Sequence, residues 1–83
     1  YNMPNKKVPY QQLILQENNF LHIFGQKIKQ LRTSKGWSQE KLGYEANLDR
    51  TYIGGIERGE RNISLLKTKQ IADALNVEMK DLF

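Results

Sequence analysis

Eighty-three residues, no cysteine and a formal charge of +4 set the bounds. A chain this short buries barely enough apolar surface for one core, and without cysteine it has no disulfide, thiolate nucleophile or zinc finger, so a partner subunit is the expected support. The longest apolar run, Leu13-Ile14-Leu15, is too short to span a bilayer or serve as a signal peptide, and the lack of cysteine suits a reducing cytoplasm.

The charge is unevenly spread. From residue 1 to 35 six basic residues (Lys6, Lys7, Lys27, Lys29, Arg32, Lys35) stand against the single acid Glu17, while the remainder is nearly balanced. That pattern suits a protein that finds nucleic acid electrostatically yet discriminates among sequences.

Residues 1–17 contain both prolines, Pro4 and Pro9, and the pair Lys6-Lys7. They are expected to form an amino-terminal arm, poorly ordered or partly extended, whose distal piece from Tyr10 to Gln16 extends as a strand or joins the first helix. The first residue is Tyr rather than Met, as in a piece cut from a longer protein. Residues 18–83 form the domain. Phe20, Phe24, Ile28 and Leu31 follow spacings of four, four and three, which predicts helix 1 from Asn18 or Asn19 to about Lys35, with Gly36 as its stop. Ser38 caps helix 2, which turns Leu42 and Ala46 inward and ends at Asn47, a residue that tolerates the left-handed conformation. Asp49 caps helix 3, about Arg50 to Arg58, with Ile53 and Ile56 facing in and Gly59 ending it. Ser64 caps helix 4, whose buried side carries Leu65, Ile71, Ala72 and Leu75 up to Asn76. A short fifth helix from Met79 to Phe83 completes a compact all-α fold.

Counted from Gln39, Leu42 is fourth, Gly43 fifth, Ala46 eighth, Asn47 ninth, Leu48 tenth, Ile53 fifteenth and Ile56 eighteenth. The apolar positions lock two short helices at a steep angle, the small fifth residue lets them approach, and the ninth bends the chain. This is a helix-turn-helix signature, whose second helix protrudes so that its amino-terminal side chains enter a major groove while the first braces on phosphates.

Trp37-Ser38-Gln39-Glu40-Lys41-Leu42 and Ile71-Ala72-Asp73-Ala74-Leu75-Asn76-Val77 resemble the Cro/C1-type (XRE) helix-turn-helix family over residues 20–83. The stretch Leu48-Asp49-Arg50-Thr51-Tyr52-Ile53-Gly54-Gly55-Ile56-Glu57-Arg58-Gly59-Glu60-Arg61-Asn62 is similar to the controller proteins of restriction-modification systems. The resemblance implies a lambda-repressor-like domain and a dimeric transcriptional regulator on operators upstream of its own and the restriction enzyme's gene. Two departures stand out: Asn47 replaces a frequent Gly, and Thr68 takes a usual Leu position in helix 4 while Leu66 is apolar at a usually polar one.

Arg50 and Thr51, on the first turn of the protruding helix, are the expected base contacts, since arginine donates two bonds to a guanine edge and threonine offers a hydroxyl and a methyl group. Arg61 resembles a second base-reading arginine of the controller proteins; by its neighbours it can equally pair with Glu57 or Glu60. Gln39, Tyr52, Asn62, Ser64 and Arg32 are candidate phosphate contacts. Val77, Met79, Leu82, Phe83 and Leu66 are the candidate dimer surface, which would set two reading helices about 34 Å apart on an inverted repeat. Glu57 is read as structural, paired with Arg58 or Arg32, His22 as a surface or partly buried residue, and Trp37 as core. No nucleophile, base and orienting group cluster at sensible spacing, so no catalytic residue, metal or cofactor is expected and the chain is not read as an enzyme. The expected partners are palindromic double-stranded DNA and a second copy, with RNA polymerase a candidate third. Two alternatives stay open, the amino-terminal regulatory domain of a cytosine methyltransferase and a phage-like repressor or antitoxin. A pure protein-interaction module is a third.

Overall fold

A computed structural model describes residues 9–83; the arm's residues 1–8, with Pro4, Lys6 and Lys7, lie outside them. Four α-helices, α1 (Tyr10–Ser34), α2 (Gln39–Ala46), α3 (Arg50–Glu57) and α4 (Leu65–Leu75), are followed by a single 3-10 turn over Met79–Leu82. The expected fifth helix is therefore this tighter turn, fastened by reciprocal bonds between the Glu78 and Asp81 side chains and each other's backbone N–H. Among the described residues there is no strand, and no helix is long and apolar enough to cross a membrane.

Serine and aspartate caps start the inner helices. Ser38 accepts from the Lys41 N–H, Asp49 from Thr51 and Ser64 from Lys67, each satisfying a backbone donor with no partner inside its helix. Asn47 and Asn76 end α2 and α4 with the same left-handed geometry, φ 60 and 59. Asn47 thus performs the bend that a glycine would, and the next N–H, that of Leu48, reaches back to the Gly43 carbonyl at 2.8 Å.

The core is contributed by every element: Phe24 and Ile28, Leu42 and Ala46, Ile53 and Ile56, Ile71, Ala72 and Leu75, and finally Leu82. Each large aliphatic side chain there contributes about 1.5–3 kcal/mol. Trp37, expected in the core, is half-buried against it. Gly25 lets α1 cross α3 in backbone contact, because a Cβ would collide with the carbonyl oxygens of Ile56 and Glu57. Gly43 does the same where α2 meets the turn into α3, a Cβ falling 2.5 Å from the Leu48 carbonyl oxygen and 3.3 Å from the Arg50 nitrogen.

Three expectations change. Helix α1 begins at Tyr10, so residues 10–17 are neither extended nor disordered; they join the helix, the other course open to them. Phe20 and Leu65 are exposed rather than buried. Thr68 instead faces inward, its hydroxyl donating to the Ser64 carbonyl at 2.8 Å, so α4 keeps its register and Leu65 and Leu66 both point outward.

Candidate nucleic-acid interface

The α2–α3 unit rests on a buried ion pair. Arg32 Nε donates to Glu57 Oε2 at 2.6 Å and Nη2 to Oε1 at 3.0 Å, while Nη1 donates to the Trp37 carbonyl at 2.7 Å. Gln39 Nε2 adds a bond of 3.0 Å to Glu57 Oε1. Arg32 has only 9 % of its side chain exposed, so it is no phosphate contact: its guanidinium is consumed in tying α1, the α1–α2 loop and α3 together. Of the two expected partners for Glu57, the structure selects Arg32; Arg58 pairs with Glu60 at 3.1 Å.

Above this base lies a polar groove lined by Arg32 itself, by Ser38, Gln39 and Glu40 at the start of α2, by Arg50, Thr51 and Gly54 of α3 and by Arg58 just past its end. Arg50 and Thr51 are exposed, and Arg50 has no ion-pair partner among the described residues. Thr51 donates its backbone N–H to Asp49 at 2.8 Å, and this bond holds the Asp49 carboxyl below the usual aspartate range, with the charge of Arg50 a lesser cause. Asp49 is thus fixed as a charged cap at the first turn of α3. Gln39 gives one amide hydrogen to Glu57 and keeps the other, beside backbone donors at the start of α2.

Arg58 was not singled out from sequence. It shares the groove because it follows Arg50 and Gly54 at steps of four along α3, a spacing that was there to be read.

A second cluster lies alongside α3, on the side that carries Tyr52 and Gly55. The Arg61 guanidinium lies 5.1 Å from the centre of the half-buried Tyr52 ring, and Lys67 Nζ lies 4.8 Å from it. Arg61 pairs with neither Glu57 nor Glu60. Ser64 is occupied as the cap of α4, and Asn62 borders an apolar groove on another side of the molecule. That groove is lined by Leu13, Phe20, Phe24, Ile63, Leu65 and Phe83 among others, with Phe83 stacked on Phe24 at 5.2 Å and on Phe20 at 6.0 Å.

Of the five residues assigned to a dimer surface, Leu82 is fully buried and belongs to the monomer's core, where the 3-10 turn drives it. Val77 and Met79 are half-buried against the same core; Phe83 and Leu66 are exposed at 66 % and 72 %. His22 is exposed, and no group of three or more potential metal-ligating side chains occurs among the described residues.

Comparison with known proteins bears on the same segment. The helix-turn-helix family HTH_3 matches residues 28–82. Control protein C.BamHI of Bacillus amyloliquefaciens is 54 % identical over 66 residues, covering 78 % of this chain and 82 % of its own length. The crystal structure of the restriction-modification controller protein C.AhdI from Aeromonas hydrophila aligns with a TM-score of 0.77 at 49 % identity, covering 78 % of this chain and 98 % of that one. A solved tetramer of controller protein C.Esp1396I in complex with its natural 35 base-pair operator aligns at 38 % identity, with a TM-score of 0.67, over 75 % of this chain and 92 % of that one.

Proposed function

The chain belongs to the helix-turn-helix family, and on that premise we propose that it is a controller-type transcriptional regulator that binds an inverted-repeat operator as a dimer through the major groove. The observation that carries the reading is the exposed, unpaired Arg50 beside Thr51 on the first turn of α3, next to the open start of α2. One helix offers base-reading donors while the other offers Gln39 and backbone N–H groups to phosphate. Likeness to control proteins of similar length supports the controller assignment, and the operator-bound tetramer of one of them supports assembly on DNA. Exposed Phe83 and Leu66 supply apolar area for a second copy. A regulator of this kind works in the cytoplasm and catalyses no reaction.

Selection of binding sites from random duplex DNA tests the reading. A palindrome is expected, and Arg50→Ala should weaken binding to it by about 1–3 kcal/mol while relaxing preference at one base pair. Absence of any salt-sensitive affinity for duplex DNA would sink the proposal.

A further inference from the structure

Helix α3 carries two adjacent buried glycines, Gly54 and Gly55, inside only eight residues, although glycine is among the poorest helix formers. At Gly55 the missing side chain has a specific neighbour. A Cβ there would lie 2.9 Å from Cγ, 3.3 Å from Nε and 3.7 Å from Cδ of Arg61, and these are its three nearest contacts. Tyr52, one turn earlier on the same face, sets its ring 5.1 Å from the Arg61 guanidinium. The loop that delivers Arg61 is itself tied to α3, since the Glu60 N–H donates to the Gly55 carbonyl at 2.8 Å and the Gly59 N–H to that of Ile56 at 3.0 Å. The arginine stem therefore lies in a shallow slot floored by bare backbone and walled by an aromatic ring.

We infer that Gly55 is a positioning residue for DNA reading: by leaving that slot empty it lets Arg61 lie along α3 against Tyr52, with its donor fork aimed at a base edge. The inference rests on the reading of Arg61 as a base contact. Its chemistry is ordinary: a guanidinium held over a ring by cation–π attraction spends no N–H group on that contact, so its donor fork stays available to two acceptors of a guanine. A methyl group at position 55 lifts the stem and swings the fork away, while the helix itself loses nothing.

The test compares Gly55→Ala, Arg61→Ala, the double variant and Tyr52→Leu on a duplex enriched from a random pool by the unaltered chain. Gly55→Ala and Arg61→Ala should each lower affinity between about five- and a hundred-fold and flatten preference at the same base pair, leaving the base pair read by Arg50 unchanged. The double variant should bind no worse than Arg61→Ala alone, because the slot acts only through the arginine. Tyr52→Leu, which removes the wall and leaves the floor, should flatten the same base pair. Parental base preference in Gly55→Ala, or additive losses in the double variant, overturns the inference. Parental preference in Arg61→Ala instead removes the base-reading role of Arg61, and the inference with it. Circular dichroism should show parental helicity for Gly55→Ala, since the atoms a methyl would meet belong to the Arg61 side chain and not to backbone; collapse would show that the backbone needs the space and would also overturn it.

Discussion

The α2–α3 face and the flank built from the amino half of α1, the start of α4 and Phe83 treat solvent in opposite ways. On the first, polar groups line the surface and most are held, while Arg50 is left unpaired: Glu57 accepts three hydrogen bonds, Asp49 is locked to the Thr51 N–H, and Arg61 lies against Tyr52. On the second, exposed Leu13, Phe20, Leu65 and Phe83 line an apolar groove, and Leu15 and Leu66 stand exposed on the same helices. A face that reads DNA gains from aimed donors rather than from area, whereas association with another protein gains from apolar area removed from water. The contrast suggests two faces with two partners.

Breaking the support of the first face should give the largest effect. Arg32→Ala leaves Glu57 charged and buried without its cation, and a loss of about 3–5 kcal/mol is expected in urea unfolding, enough to consume much of the stability of so small a domain. Next comes the flank. Phe83→Lys and Leu66→Lys should leave a folded chain but weaken self-association roughly tenfold by sedimentation equilibrium; unchanged association would remove the flank from any dimer interface. Asn47→Ala should cost about 1 kcal/mol, a drop of roughly 4–8 °C in melting temperature, because alanine bears the left-handed turn poorly. Gln39→Ala should weaken binding to all duplexes alike, without changing base preference. The smallest effect concerns pH. The carboxyl of Asp49 is held below its ordinary value, so its contribution as a charged cap is present above the unfolded-state value and fades as pH falls through the lowered one. Asp49→Asn should therefore lose less stability on acidification than the parent, a difference readable in thermal melts between neutral and strongly acid pH.

Much of the first face was legible because its signals are local. Ser38, Asp49 and Ser64 lie next to the backbone donors they satisfy, and Asn47 bends the chain where it stands. Leu42, Ala46, Ile53 and Ile56 follow a spacing that only one packing explains. What escaped depends on distance. Arg32 is a phosphate candidate and a possible partner of Glu57 alike on sequence, because Glu57 lies 25 residues away on a helix whose orientation the sequence does not state. Leu82 and Phe83 are adjacent and both apolar, yet the tight terminal turn sends one inward and leaves the other outside. Helix α1 begins nine residues before Asn19, with Pro9 just ahead of it, where a missing N–H removes no helical hydrogen bond. Its amino half packs on little of its own chain, so an inward-facing apolar stripe could not mark it.

The glycine contacts at the two ends of α3 have a mechanical consequence. Gly43 seats the backbone at Arg50, and Gly25 seats it at Ile56 and Glu57, so a helix of eight residues rests on two bearings with no side chain as padding between. A beam supported at both ends cannot roll without dragging α1 and α2 with it. The ordering entropy of α3 is thus spent when the chain folds and is not charged again when a ligand meets that helix.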